Sequence, residues 1–312
     1  MGAGHRHHHG HDQQGHDHAH SHDHRVQRTA GAAFRWSIAL NSGLTALQLV
    51  IGFGFGSLAL VGDALHNLGD VIGLVLGGGA EWLSLRPPKG RFTYGFGRST
   101  QMASLINGLL IFSAGVVVVV EAIQRLANPV PLIAAPVAWA AAAGIVINLF
   151  SAKLFGHDHH HDLNQRAAVL HLLTDAAVSV AVLVSALLVG FTGWLWLDAI
   201  TAIGVGAAVI WSAIDLLREA VALNLDAAPR GVDLGAVESL LQQLPGVAAV
   251  EELHVWGIST ARTALTAHLV LENDAVDGER VIGIARQSLA KIGIRKSTLQ
   301  LETNHQHCHE HQ

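Results

Sequence analysis

His66 and Asp70 stand four residues apart, and so do His171 and Asp175. On an α-helix that spacing puts both side chains on one face, one turn apart. Both pairs, in "HNLGD" and "HLLTD", lie within stretches apolar enough to cross a bilayer. Ionisable groups at membrane depth cost roughly 2.5–3.5 kcal/mol each on insertion scales. One such pair has an interhelical hydrogen bond as its lesser reading; two matched pairs point to a transport site. If their helices pack together, two imidazoles and two carboxylates converge on one point. Four N/O ligands in a tetrahedron suit Zn²⁺ at about 2.0–2.2 Å. Co²⁺ also fits, and Cd²⁺ less well. A hard cation such as Mg²⁺ calls for about six oxygens, and the lack of thiolate disfavours Cu⁺. Metal binding needs neutral imidazole and ionised carboxylate, so protons and metal compete for such a site. An unperturbed His titrates near about pH 6.5, between cytoplasmic and acidified external pH. The chemistry on offer is exchange of a divalent metal for protons. Asp63 shares the face of His66 and Asp70, but the matching offset before His171 holds Ala168. Asp63 is therefore read as an external vestibule or proton-path residue, not a fifth ligand.

The elements that must position these groups follow from hydropathy. Of 312 residues, 50% are hydrophobic and 14% charged, against about 25% charged in a soluble domain. Most of the chain is therefore membrane. Six stretches reach the roughly 20 apolar residues that a bilayer needs: 32–54, 57–85, 101–124, 130–155, 166–191 and 194–216. The first follows some thirty polar residues and does not read as a cleavable signal peptide. "FGS" and "GFTGW" are short enough to make hairpins of spans one and two and of spans five and six. Arg25, Arg28 and Arg35, then Arg86, Lys89, Arg91 and Arg98, then Lys153, Arg166 and Arg218, all fall on one side. The other side has Arg125 alone. The bias predicts that both termini are cytoplasmic.

Of 22 histidines, 18 fall in three tracts: residues 1–24, "GHDHHHD" at 156–162, and the closing "HQHCHEHQ". Asp and Gly interleave the first tract, and a second tract lies mid-chain, so a purification tag is the weaker explanation. Such tracts suit metal capture through neutral imidazole. The single cysteine, Cys308, excludes an internal disulfide framework. A net charge of −5 points to no nucleic-acid partner. Beyond about residue 221 the pattern becomes helix, strand, strand, helix, strand, which predicts a small α+β domain. The expected organisation is a His-rich tail (1–29), a six-helix transmembrane domain (30–220), a cytoplasmic domain (221–303) and a His/Cys-rich tail (304–312).

"GSLALVGDALHNLGDV", "RPPKGRFTYGFGR" and "HLLTDAAVSV" resemble the cation diffusion facilitators, the zinc-exporting group especially, over residues 30–303. The resemblance implies six transmembrane helices with a cytoplasmic ferredoxin-like domain, a homodimer, and export by proton antiport. It implies His66, Asp70, His171 and Asp175 as the transport site, in a protein that is not an enzyme. Polar residues in spans one and six are matched by Asn41 and Asp198, for which a hydrogen-bonded packing role is at least as good a reading as metal contact. His254 and His268, in neighbouring predicted strands, are candidates for a regulatory metal site, with Glu302 and Cys308 as further ligands. Trp256 reads as core or interface. The loop "RPPKGRFTYGFGRST" has no His, Asp, Glu or Cys, so no metal site is expected there. Its basic side chains are expected at lipid headgroups or a partner subunit. The short tail and compact loops suit a bacterial inner membrane.

Other classes fit less well. An intramembrane protease would need H-E-x-x-H or an equivalent nucleophile motif, and an ATP-driven pump a phosphate-binding loop; neither motif occurs. A metal-storage protein would not need paired ligands buried on two helices.

Overall fold

A computed structural model describes residues 21–154, 163–273 and 275–303. The N-terminal His-rich tract up to residue 20, the tract at 156–162, and the closing tract with Cys308 lie outside the described residues. Six long helices come first: α1 (Ser21–Phe55), α2 (Leu58–Ser84), α3 (Ser99–Ala127), α4 (Ala134–Leu154), α5 (Leu163–Thr192) and α6 (Trp196–Asn224). All six are long and apolar enough to cross a membrane. Val75, Trp139, Phe191 and Trp211 expose most of their surface, as side chains turned to lipid do.

The predicted sixth span ends at 216, but α6 runs on to Asn224. A helix of 29 residues rises ~43 Å, well beyond the roughly 30 Å of hydrocarbon. Its last turns leave the apolar layer and carry Arg218 and Glu219 without breaking the helix.

Between helices the packing uses small residues, since apolar side chains gain nothing by leaving lipid for protein. Ala59, Ala122, Ala140, Ala141, Ala202 and Ala213 are essentially buried in one continuous core. At the α3–α6 crossing a Cβ on Gly115 would lie 2.8 Å from Ile210 Cγ1 and 3.2 Å from the Gly206 carbonyl. That backbone approach requires glycine. α2 packs against α1, α3, α5 and α6, while α4 lies against α1 and α5. α2 is therefore the central helix, and it carries Asp63, His66 and Asp70.

The α1–α2 hairpin turns at Gly56, whose φ is +83°. Arg125 donates to the Gly56 carbonyl at 2.7 Å and pairs with Glu121 at 3.2 Å. The one basic residue on that side of the membrane is thus held in structural bonds.

The C-terminal domain comprises α7 (Leu234–Gln242), β1 (Val247–Ser259), β2 (Arg262–Leu271), α8 (Gly278–Lys291) and β3 (Lys296–Thr303). β1 pairs antiparallel with β2, and β2 parallel with β3. Asp233 and Asp277 cap α7 and α8 by accepting from Ala236 N and Arg280 N, the standard way to satisfy the free amides of a helix start. Leu265, Ala267, Leu269 and Leu271 project from one face of β2 into a core with Val237, Leu241, Ala285 and Leu289. The other face carries Thr266 and His268, as strand alternation requires.

The domain docks on the ends of α2 and α3. Gln101 Nε2 donates to the Gly257 carbonyl at 2.9 Å, Thr260 N to Thr100 Oγ1 at 3.0 Å, and Arg262 to the Ser84 carbonyl at 3.2 Å. Arg98 pairs with Asp226.

Candidate metal-transport site

α2 and α5 lie side by side with their polar faces together. Each imidazole spans both carboxylates. His66 Nε2 is 3.4 Å from Asp175 Oδ1 on the other helix and 3.9 Å from Asp70 on its own. His171 Nε2 is 3.1 Å from Asp70 Oδ2 and 3.7 Å from Asp175 Oδ2. The rings meet edge to face at 5.9 Å. Donor atoms of His66, His171 and Asp175 all lie within 4.8 Å of one another. In a tetrahedron with bonds of about 2.05 Å, ligand atoms stand ~3.3 Å apart. The four His–Asp separations run from 3.1 to 3.9 Å, those to Asp175 through its two different oxygens, so with one atom from each residue the cluster is His66, His171 and Asp175, with Asp70 at its edge.

Two atoms here are short of partners. His66 Nδ1 and Asp175 Oδ1 are buried without a hydrogen bond among the described residues. Orphaned polar atoms in a low-dielectric interior cost about 1–3 kcal/mol each, a cost that a bound cation would offset at Asp175. Exposure is graded along the site: the Asp175 side chain is 4% exposed, His66 15%, Asp70 34% and His171 48%.

The gradient reflects a cavity of about 350 Å³ lined by Asn41, Asn67, Asp70, Asn107, His171 and Asp175, with Ile38, Leu74 and Ala168 among its apolar walls. These walls lie toward the ends of α1, α2 and α5 nearest the C-terminal domain, so the site is approached from the domain side. Asn41 lines the cavity, and its Oδ1 is buried without a hydrogen bond among the described residues. Asn107 does the same from α3 and was not anticipated. The signal available for it was an amide inside an otherwise apolar span; Gly73 leaves the room, since a Cβ there would meet Asn107 Nδ2 at 2.6 Å.

Asp198 is a packing residue. Its carboxylate accepts from Ser57 Oγ at 2.6 Å and Leu58 N at 2.7 Å, which secures the start of α2.

Asp63 departs from the vestibule half of its expectation. It does not line an open vestibule: it is 0% exposed. Its Oδ2 accepts from Gln48 Nε2 of α1 at 2.8 Å and from Ser179 Oγ of α5 at 3.0 Å. Gln48 in turn accepts from Asn67 Nδ2 at 3.3 Å. Sequence spacing placed Asp63 on the right face but could not show that polar residues from two other helices close around it.

Comparison with known proteins decides the family. Residues 35–223 match the cation efflux transmembrane domain, and residues 229–304 the cation efflux protein cytoplasmic domain. The chain belongs to the cation efflux family. It is 31% identical over 267 residues to the metal cation efflux system protein CzcD of Cupriavidus metallidurans, covering 85% of this chain and 84% of that one. It is 32% identical over 280 residues to the zinc transporter ZitB of Escherichia coli, covering 88% and 87%. It is 28% identical over 279 residues to a cadmium, cobalt and zinc/H(+)-K(+) antiporter of Bacillus subtilis, covering 88% and 89%. Membership makes the chain a multi-pass membrane protein that moves metal cations out, a transporter and not an enzyme.

In this cation efflux protein the second His–carboxylate group lies on the open face of the C-terminal sheet. His268 Nδ1 is 2.8 Å from Glu302 Oε1 on β3, and Nε2 is 3.6 Å from Glu252 on β1. Gln300 also donates to Glu302, at 2.9 Å. His254 pairs across the sheet with Thr266 and lines a separate groove with Tyr94, Arg98, Asp226 and Trp256. The fold brings His268 and Glu302 together. In the α2–α3 loop, Arg86 lies over the Trp82 ring at 4.0 Å, and Tyr94 receives Lys296 at 4.5 Å.

Proposed function

We propose that this protein exports Zn²⁺ from the cytoplasm in exchange for protons, with Co²⁺ or Cd²⁺ as the next cargoes, and that His66, Asp70, His171 and Asp175 hold the ion in transit. One observation carries the reading: four His–Asp separations of 3.1 to 3.9 Å across two membrane helices, at the end of a cavity. The names of the relatives support the choice of cargo, and one of them is named as an antiporter using protons.

Metal enters from the cavity, which faces the cytoplasm if the basic side of the chain does. Binding displaces protons from the four ligands, because the ion needs lone pairs on nitrogen and both carboxylates ionised. Protons arriving from the opposite side then compete for the same atoms and release the ion there. The protein works as a homodimer in a bacterial inner membrane, joined through its cytoplasmic domain. His268 with Glu302, and less directly His254, form a regulatory metal site in that domain.

Flux of Zn²⁺, Co²⁺, Cd²⁺ and Mn²⁺ into proteoliposomes under an imposed pH gradient tests this. Zn²⁺ uptake coupled to proton movement is the expected result. Metal flux indifferent to the gradient would overturn the exchange, and full flux in Asp70→Ala or Asp175→Ala would overturn the site.

A further inference from the structure

We propose that Asp63 is a proton-carrying group of the exchange: it gives up a proton as metal enters and regains one as metal leaves. The inference rests on the metal/proton reading above.

Asp63 is fully buried, and no Lys or Arg is paired with it among the described residues. Both of its hydrogen bonds arrive at one oxygen; Oδ1 is buried and has none among the described residues. The groups around it are few. From its own helix the nearest titratable side chain is His66, one turn on. From α5 it is Asp175, one turn from Ser179. The described membrane part of α1 offers the neutral Gln48, and α4 approaches with Gly144, whose added Cβ would meet Ser179 Oγ at 2.8 Å and Gln48 Nε2 at 3.1 Å.

A carboxylate is more than the packing requires. An asparagine oxygen would accept the same two bonds and avoid the several kcal/mol that an unpaired buried charge costs. A group that is neutral in one step of the cycle and charged in another explains the acid. When the cavity is empty of metal, a proton on Asp63 removes the uncompensated charge. When a dication occupies the His66–Asp175 site, its field favours the ionised form. The O–H bond of the carboxyl breaks, the proton leaves to solvent, and the carboxylate keeps the electron pair; the reverse step closes the cycle.

Position fits this use. Along α2, Asp63 lies ~4.5 Å nearer the far end than His66. Beyond it lie the buried apolar residues Leu58, Leu60, Val61, Val137 and Val182, with Asp198 of α6 bonded to Ser57 and Leu58 N at the start of α2. A proton coming from the far side therefore meets Asp63 before it meets a metal ligand. On the cavity side, Asn67 in the wall connects through Gln48 to the same carboxyl.

The test is to count protons released when Zn²⁺ saturates the purified full-length protein in weakly buffered detergent solution. Asp63→Asn keeps both accepted hydrogen bonds and should bind Zn²⁺ while releasing about one proton fewer per ion. Ser179→Ala, which removes a donor and leaves the carboxyl, should release the wild-type number. An unchanged count in Asp63→Asn overturns the proposal. So does loss of Zn²⁺ binding in that variant, or an equal drop in Ser179→Ala, since either assigns Asp63 to the scaffold. Should Asp63→Asn fail to fold, the infrared difference spectrum of the wild type decides: the carbonyl band of a protonated carboxyl must vanish on Zn²⁺ addition, and its absence from the metal-free protein overturns the proposal. Wild-type protein that binds Zn²⁺ and releases no proton would instead defeat the exchange reading itself.

Discussion

Among the described residues two groups pair imidazole with carboxylate, one between apolar helices and one on a sheet. The α2–α5 group places two histidines and two aspartates among apolar helices, with His66 Nδ1 and Asp175 Oδ1 left without hydrogen bonds among the described residues. The sheet group places His268 against Glu302 at 2.8 Å, with Gln300 donating to the same carboxylate oxygen. The first is underbonded and opens on a cavity; the second is closely bonded within the sheet. A site that leaves two of its polar atoms unbonded is ready to take an ion and let it go. A site whose groups already satisfy one another holds structure first, and metal must compete with those bonds.

That contrast predicts unequal consequences of mutation. The largest is expected at Asp175, the most buried of the four proposed ligands. Asp175→Ala removes the carboxylate that faces both imidazoles. Zinc flux in proteoliposomes should fall at least about 100-fold, equivalent to losing one charge-assisted contact of roughly 3 kcal/mol. Retained flux would mean that the ion passes elsewhere. His66→Ala is expected to match it.

Next comes Asp198, which shares the membrane but not the site. Asp198→Ala leaves Ser57 Oγ and Leu58 N without their acceptor at the start of the helix that carries His66 and Asp70. Each such bond to a charged group contributes about 1.5–3 kcal/mol. The variant should unfold at lower temperature and yield less folded protein. Zn²⁺ affinity per folded molecule should change less than about threefold. A selective loss of affinity at wild-type stability would move Asp198 from packing to the transport site.

The contrast also explains what the sequence disclosed. The grouping of His66, Asp70, His171 and Asp175 was open to sequence reading because helical spacing is local: H-x-x-x-D fixes a shared face wherever the helix packs. The six spans were legible because a bilayer demands length and hydropathy. The helix α6 outruns the predicted span because charge at Arg218 and Glu219 ends a hydropathy window but not a helix. Asp63 was placed on the correct face yet given the wrong surroundings, since Gln48 and Ser179 are single polar residues in separate spans whose meeting is a tertiary event. Asn107 was missed for the same reason. In the sheet, the pairing of His268 with Glu302 depends on the parallel register that sets Val270 opposite Glu302 and His268 opposite Gln300, a relation no local pattern encodes. His254 and His268 were grouped by the family resemblance and because their strands adjoin; the register puts His254 opposite Thr266, two residues along β2 from His268.

A smaller effect is expected at His268. His268→Ala takes the imidazole from Glu302, which is 5% exposed and keeps Gln300 as a partner. Partial loss of satisfaction at one buried carboxylate should cost about 1–2 kcal/mol of stability. Thermal unfolding of the full-length protein should show it, while Zn²⁺ flux at saturating metal stays within about twofold. If His268 and Glu302 also bind a regulatory ion, the metal concentration giving half-maximal flux will rise in His268→Ala and not in His254→Ala. Equal shifts in both variants would join the two histidines into one site, despite their separate settings.

The smallest effect is expected from deleting residues 1–24. Ten of the 22 histidines are there, yet none is needed to complete the four-ligand set on α2 and α5. A tract that captures ions raises their local concentration without touching the step that moves them. Maximal flux should therefore stay within about twofold, and only the concentration for half-maximal flux should rise, because extra metal in solution replaces what the tract supplied. A fall in maximal flux would show that the tract takes part in the transport step. It would also weaken the claim that the underbonded group in the membrane is sufficient for passage.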